Sequence, residues 1–255
     1  MNSNNINDKE YSNFSQNGED GIIEFLSDKL ISNNKHFVEI GCGFGLENNS
    51  TNLILNGWSG TVFDMPYNIH LYKRFLELIK PQKDIKHISG VLNLENLEKL
   101  INILINEDTT FFSLDIDSYD FYIMHELLKK NFLPKIICVE YNPFFGKEAL
   151  TVLYKSNTKD FYCTGERLLY YGASLEAWKM LFQKYNYEFI CVDNNGVNAF
   201  FVLPEYFNEK FSKYKGLDFE YTIGWVNEFK TSGEELKNKI LTKFKNELIN
   251  VIELL

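Results

Sequence analysis

The chain's 255 residues, 45% hydrophobic and 24% charged, suffice for one globular domain with a sizeable core, and 22 Phe and 15 Tyr make that core or a pocket ring-rich. A formal charge of −9 argues against nucleic acid as a partner, because phosphate binding relies on clustered Lys and Arg. No apolar stretch reaches membrane-spanning length and the first residues carry no signal-peptide pattern, so the expected location is cytoplasmic.

The cysteines Cys42, Cys138, Cys163 and Cys191 are widely separated and form no C-x-x-C pair, which speaks against zinc or a disulfide framework and for a reducing compartment. The segment "YSNFSQNGEDGIIEFL" places Asn17 or Asp20 to cap a first helix over Gly21–Leu30. Short apolar runs at 36–40, 60–64, 85–89, 110–116 and 135–141 then read as strands. Helical patterns separate them, over Asn48–Asn56, Tyr67–Ile79, Leu94–Asn106 and Tyr119–Lys130. In the third of these Leu97, Leu100, Ile101 and Leu104 share one face. Strands alternating with helices at this interval predict right-handed βαβ units and a parallel sheet.

The series ends differently. Runs at 187–193 and 197–203 flank "NNG", a hairpin signal, so the last two strands are expected to be antiparallel. The expected fold is α/β: a doubly wound, mostly parallel, seven-stranded Rossmann-like sheet ending in an antiparallel β-hairpin. Residues 1–35 form a cap segment and first helix, 36–204 the main domain, and 205–255 a helical C-terminal extension. In that extension Leu236, Ile240, Phe244, Leu248, Val251 and Leu255 keep one face apolar, for packing on the chain itself or against a second copy as a homodimer.

The first strand runs into "EIGCGFG", a carboxylate followed by Gly41, Gly43 and Gly45. A strand, a glycine-rich turn and a helix can hold a nucleotide-like ligand, since glycine permits close backbone approach and the helix N-terminus offers free N–H groups. The dinucleotide fingerprint is G-x-G-x-x-G, however, and Glu39 would repel a pyrophosphate while suiting a cationic or amine-bearing ligand. Asp64 ends the second strand, where a carboxylate can accept hydrogen bonds from ribose hydroxyls. The structural alternative is that Glu39 caps a turn and Asp64 is a loop acid.

Ligands of parallel α/β sheets bind at the carboxyl ends of the strands. Strand four ends in Asp115, Ile116, Asp117 and, shortly after, Asp120; strand five ends in Glu140, Tyr141 and Asn142. Such a gathering of carboxylates needs a cation, a proton or a positive ligand.

The "EIGCGFG" turn with Asp64 resembles motif I of class I S-adenosylmethionine-dependent methyltransferases, whose sheet also ends in an antiparallel hairpin. "YSNFSQNGEDGIIEFL", "SLDIDSYDFYIMHEL" and "GVNAFFV" are similar to FkbM-like members, although those commonly carry K-I-D-V-E-G-x-E where this chain has L-D-I-D-S-Y-D. The resemblance implies S-adenosylmethionine as cofactor, held by Glu39, Gly41, Gly43, Gly45 and Asp64, with Ser89, Gly90 and Val91 near the adenine and Asp115 alongside. It also implies that Gln16, Gly18, Glu19 and Asp20 cap the cofactor. Metal-dependent O-methyltransferases of this class place ligands at these same strand ends, where Asp117, Glu140 and Asn142 would match for Mg²⁺. Alternatively Asp117 or Asp120 acts as general base on an acceptor hydroxyl, or the acids only bind the acceptor or cap the next helix.

His125, within the helix after strand four, is a further candidate base, its alternative being a place in that apolar helix. His36 and His87 read as structural. Glu140, Tyr141 and Asn142, with Arg167, Tyr170 and Tyr171 in "ERLLYYGASLEAW", are candidate acceptor contacts; the structural alternative for the latter stretch is a helix start at Ser174. The implied activity is O-methylation of a small molecule or of a sugar- or phosphate-linked acceptor, as in capsule, other surface-glycan or natural-product biosynthesis. A nicotinamide-dependent oxidoreductase and a non-catalytic cofactor-binding partner subunit are the rival readings.

Overall fold

The computed structural model describes residues 4–32, 34–155 and 168–255. The strands form where the apolar runs predict them: β1 (His36–Ile40), β2 (Ser59–Asp64), β3 (Ile85–Ser89), β4 (Phe111–Leu114), β5 (Ile136–Glu140), β6 (Leu150–Val152), β7 (Glu188–Val192), β8 (Asn198–Val202) and β9 (Leu248–Asn250), with only β6 and β9 lacking a sequence counterpart. Seven of them make one sheet in the order β3-β2-β1-β4-β5-β8-β7. The first five are mutually parallel and the β7–β8 hairpin is antiparallel, as "NNG" predicts. Gly196 takes φ 70° in that turn, and the Asp193 carboxylate accepts the backbone N–H groups of Asn195, Val197 and Asn198.

Eight helices accompany them among the described residues: α1 (Glu19–Ser27), α2 (Thr51–Leu55), α3 (Pro66–Ile79), α4 (Leu97–Leu104), α5 (Asp120–Lys129), α6 (Leu175–Gln183), α7 (Ile223–Glu228) and α8 (Gly233–Lys243). Because side chains alternate across a strand, the central strands feed two cores at once. Phe37, Phe111, Ile136, Cys138 and Phe200 pack with α1, α2 and α3, whereas Val38, Ile40, Phe112, Ile137 and Phe201 pack with α4, α5 and α6. Each such fully buried side chain contributes about 2 kcal/mol through burial. Both faces being covered explains why these strands read as continuous apolar runs.

Two expectations are corrected here. The N-terminal residue capping α1 is Gly18, at φ 104°, with no side-chain cap bond, rather than Asn17 or Asp20. Asp20 instead turns back and accepts the N–H groups of Asn13, Phe14 and Ser15, which folds the preceding segment over the helix start. The C-terminal residues do not form one long helix either. A Ser232/Glu235 capping box starts α8, but after Phe244 the backbone is claimed by β6, which pairs antiparallel with β9. Leu236, Ile240 and Phe244 are buried with Phe144, Phe145 and Tyr170, and Val251 joins the main core. That apolar face is therefore consumed within the chain, and the homodimer reading loses the surface it was drawn from. No helix among the described residues is long and apolar enough to cross a membrane.

Candidate active site

The register of β1, β4 and β5 builds the site. Ile40 pairs with Leu114 and Leu114 with Val139, so the next residues, Gly41, Asp115 and Glu140, stand side by side where the strands end. Gly41 lies so close to Asp115 that a Cβ on it would stand 1.5 Å from the Asp115 carbonyl oxygen, and its φ is 88°. Gly43, at φ 56°, faces open space, so a side chain there would intrude where a ligand can approach. Gly45 lies against Tyr72 and Phe75, outside the cavity.

Glu39 is buried and its carboxylate is spent on the loop that follows: Oε1 accepts the Asn49 N–H at 2.8 Å and Oε2 the Asn48 amide at 3.1 Å. The Asn49 amide continues to the Ser113 hydroxyl at 2.9 Å. Glu39 thus acts here as the anchor of the 41–50 loop and not as a cavity wall. Burial pushes its pKa from 4.5 to about 7. Between those values the folded protein holds a proton that the unfolded chain releases, so stability is highest below pH 4.5 and falls as pH rises toward 7. The group is fully withdrawn from water, and the contribution is on the order of 3 kcal/mol. Asp120 and Asp193, raised by burial to about 6 and about 7, act in the same direction. Urea unfolding at pH 5 and pH 8 should therefore show a stability drop that is smaller in Glu39→Gln; equal drops in the two proteins would contradict this account.

Asp64 organises the opposite wall. Its Oδ2 accepts the Gly43 N–H at 2.7 Å, and Oδ1 accepts the Met65 N–H at 2.5 Å and the Asn68 amide at 2.9 Å. A cavity of about 240 Å³ opens between these elements, lined by Gly41, Gly43, Asp64, Gly90, Asp115 and Asp117, with Phe63, Val91 and Leu92 as its apolar part. Ser89 is not among the residues that line it.

A second cavity, of about 870 Å³, meets the first at Asp115 and Asp117. Glu140 joins them, and one oxygen from each of the three carboxylates lies within 4.8 Å of the others. At that separation two charges repel by about 3 kcal/mol at an effective dielectric of 20. Burial and the neighbouring aspartates accordingly hold Asp115 and Glu140 well above the usual carboxylate range. Glu140 Oε2 is buried without a hydrogen-bond partner.

The other sequence candidates divide clearly. Gln16 lines the second cavity, whereas Glu19 is buried and accepts the Asn17 N–H at 2.7 Å and the Asn198 amide at 2.6 Å, tying the N-terminal segment to β8. Asp120 is buried, with Oδ1 on the Ile116 N–H at 2.8 Å and Oδ2 on the Ser118 N–H at 2.9 Å; it shapes the turn that presents Asp117, whose φ of 54° is left-handed. His125 lines neither cavity and lies near Lys129, Glu126 and Lys184, while burial lowers its pKa. The Asn142 amide donates to the Leu169 and Tyr171 carbonyls and its oxygen accepts the Phe144 N–H, so Asp115 stands with Asp117 and Glu140 where Asn142 was expected. Tyr141 donates to the Glu220 carbonyl and Tyr170 to that of Glu247, both away from the cavity. Tyr171 is buried, and burial together with the nearby Glu140, Asp117 and Asp115 pushes its phenol well above the usual range. Arg167 lies outside the described residues.

Sequence reasoning missed Trp225, Asn227 and Phe229, which form the outer wall of the second cavity. Their six-residue helix carries too short a pattern to flag, and the one signal was an aromatic-and-amide run, "WVNEF".

No family model matches the chain, and no curated protein does. Solved structures with a related arrangement include an O-methyltransferase family 2 protein from Planctomyces limnophilus in complex with apigenin, 14% identical over 66% of this chain and 50% of that one, at a TM-score of 0.39. Another is the O-methyltransferase from Bacillus cereus in complex with SAH, 14% identical over 66% of this chain and 72% of that one, at 0.42. A third is the N,N-8-amino-8-demethyl-D-riboflavin dimethyltransferase RosA from Streptomyces davawensis, 12% identical over 65% and 48%, at 0.39. The chain spans about half the length of the first and third of these. Likeness at this level carries nothing about activity, which has to be argued from the cavities themselves.

Proposed function

We propose that the chain is a class I, FkbM-like S-adenosylmethionine-dependent methyltransferase acting on an oxygen of a small-molecule or sugar- or phosphate-linked acceptor, of the kind used in capsule, other surface-glycan or natural-product biosynthesis. The observation that carries the reading is the meeting of two cavities at Asp115 and Asp117, one floored by the glycine turn and walled by Asp64, the other open to a second molecule. The donor set of the first cavity fits this cofactor. It has Asp64, Asp115 and Asp117 and, among the described lining residues, no Lys, Arg or His. A pyrophosphate would meet only repulsion there, which disfavours a nicotinamide dinucleotide; a sulfonium meets attraction.

When bound, S-adenosylmethionine supplies a methyl group on positively charged sulfur. In this reading Asp64 holds the ribose, Phe63, Val91 and Leu92 cover the base, and Asp115 and Asp117 face the positive charge at the junction. The chain's further task is to position an acceptor oxygen there and to take its proton, for which the exposed Asp117 is the group in place. The same carboxylates, with Asp115, supply hard oxygen donors suited to Mg²⁺, which would also offset their mutual repulsion.

Titration calorimetry tests the reading. S-adenosylhomocysteine should bind with a micromolar Kd while NAD and NADH do not bind, and added Mg²⁺ should change its heat or affinity if the trio takes the ion. Binding of a nicotinamide cofactor alone would overturn the proposal in favour of an oxidoreductase.

A further inference from the structure

From the lining of the second cavity we infer the acceptor's class: a neutral, polyhydroxylated molecule such as a sugar ring, methylated on a hydroxyl and not on an anionic oxygen. The inference rests on the methyltransferase reading of the adjoining cavity. At the inner end stand Asp115, Asp117 and Glu140, and Glu228 adds a carboxylate on α7. Among the described lining residues there is no Lys, Arg or His to offset them. A phosphate or carboxylate acceptor would exchange water for like charge, whereas a hydroxyl finds strong acceptors.

The rest of the wall points the same way. Gln16, Asn17, Asn195 and Asn227 are carboxamides, which donate and accept as hydroxyls do. Trp225 and Phe229 add aromatic rings to the lining, against which the C–H face of a sugar can lose its water. The volume of about 870 Å³ falls within the range of small-molecule sites, roughly 300–1,000 Å³. An anionic oxygen needs no proton acceptor, whereas a hydroxyl does, and the carboxylate cluster stands where one is needed. There the hydroxyl oxygen's lone pair forms the new O–CH₃ bond, the S–CH₃ bonding pair stays on sulfur, and the hydroxyl proton goes to the Asp117 carboxylate.

The test is a binding panel by calorimetry on the intact protein saturated with S-adenosylhomocysteine, in EDTA and again with Mg²⁺. The probes are the methyl glycosides of glucose, galactose, mannose, xylose and rhamnose, set against the anionic glucose 6-phosphate and glucuronate. At least one neutral glycoside should bind at least about tenfold more tightly than every charged probe. Trp225→Ala should weaken it by a similar factor. Asp117→Asn, at an exposed left-handed position that Asn tolerates, should narrow the gap to glucose 6-phosphate severalfold. Equal or tighter binding of a charged probe in either buffer would overturn the inference, and so would failure of every neutral glycoside to saturate. Repeating the glycoside titrations without S-adenosylhomocysteine separates the two readings. If glycosides bind while S-adenosylhomocysteine does not, the neutral-sugar cavity stands and the methyltransferase reading falls.

Discussion

Replacing Gly41 with alanine is expected to cost the protein at least about 4 kcal/mol of stability, a large part of the 5–15 kcal/mol available to a typical domain. The new Cβ would stand 1.5 Å from the Asp115 carbonyl oxygen, a backbone atom that cannot swing aside as a side chain would. The residue also sits at φ 88°, where a side chain adds roughly 1–2 kcal/mol of backbone strain. Relief would require β1 and β4 to part at the point where the Asp115 N–H donates to the Ile40 carbonyl at 3.0 Å. Thermal unfolding should show a fall of about 10 °C or more, or no soluble protein. Gly43→Ala is the internal control, because its Cβ meets nothing within 4 Å. That variant should lose only about 1–2 kcal/mol, from its backbone conformation, while impairing ligand binding. If Gly41→Ala unfolded within about 1 kcal/mol of the parent, the close packing of the turn on Asp115 would be wrong.

This pair of glycines shows where sequence was sufficient and where it was not. The alternation G-x-G-x-G announced a turn that approaches something closely, yet it could not say that Gly41 approaches its own sheet while Gly43 faces open space in the cavity. The β-strands were legible because each central strand is apolar on both faces, a local property that survives in any window of sequence. Glu39 was legible as unusual but not in its role. Its partners Asn48 and Asn49 lie in the loop it anchors, and nothing in one chain's spelling distinguishes a carboxylate facing a ligand from one facing backbone N–H groups. The same holds for Asn142 and Asp120, whose polar atoms are consumed by nearby backbone.

The second cavity was the least legible part, since its walls come from Gln16, Asp117, Asn195 and α7, brought together only by tertiary packing. The C-terminal misreading has a comparable cause. The spacing of Phe244, Leu248 and Val251 is helical, but pairing of Leu248–Asn250 with Leu150–Val152 outweighs that local preference. Asp115 was read as a cofactor neighbour; the register Leu114 to Val139 adds that it also flanks Glu140, which makes it a member of both cavities.

Asp64→Ala should weaken S-adenosylhomocysteine binding by about 100-fold or more while lowering stability by only about 1–2 kcal/mol. Two losses combine. The direct one is a carboxylate able to accept ribose hydroxyls, where a hydrogen bond to a charged group is worth roughly 1.5–3 kcal/mol and two are at stake. The indirect one is the Gly43 N–H, held at 2.7 Å by Oδ2, whose release lets the turn drift from the cavity. Asn68→Ala, at the cavity wall, separates them, since it removes the 2.9 Å amide contact and leaves the carboxylate and Gly43 in place. Its effect on affinity should stay within about threefold, less than the loss of one neutral hydrogen bond. Asp64→Asn should fall between the two, because an amide keeps one acceptor oxygen but must turn its NH₂ toward the N–H of either Gly43 or Met65. Should Asp64→Ala bind S-adenosylhomocysteine as tightly as the parent, Asp64 would be only the tie between the β1 and β2 loops, and the ribose would have to be held elsewhere. Should it lose binding while Gly43→Ala keeps it, the direct contact outweighs the positioning of the turn, and the carboxylate itself is what the cofactor reads.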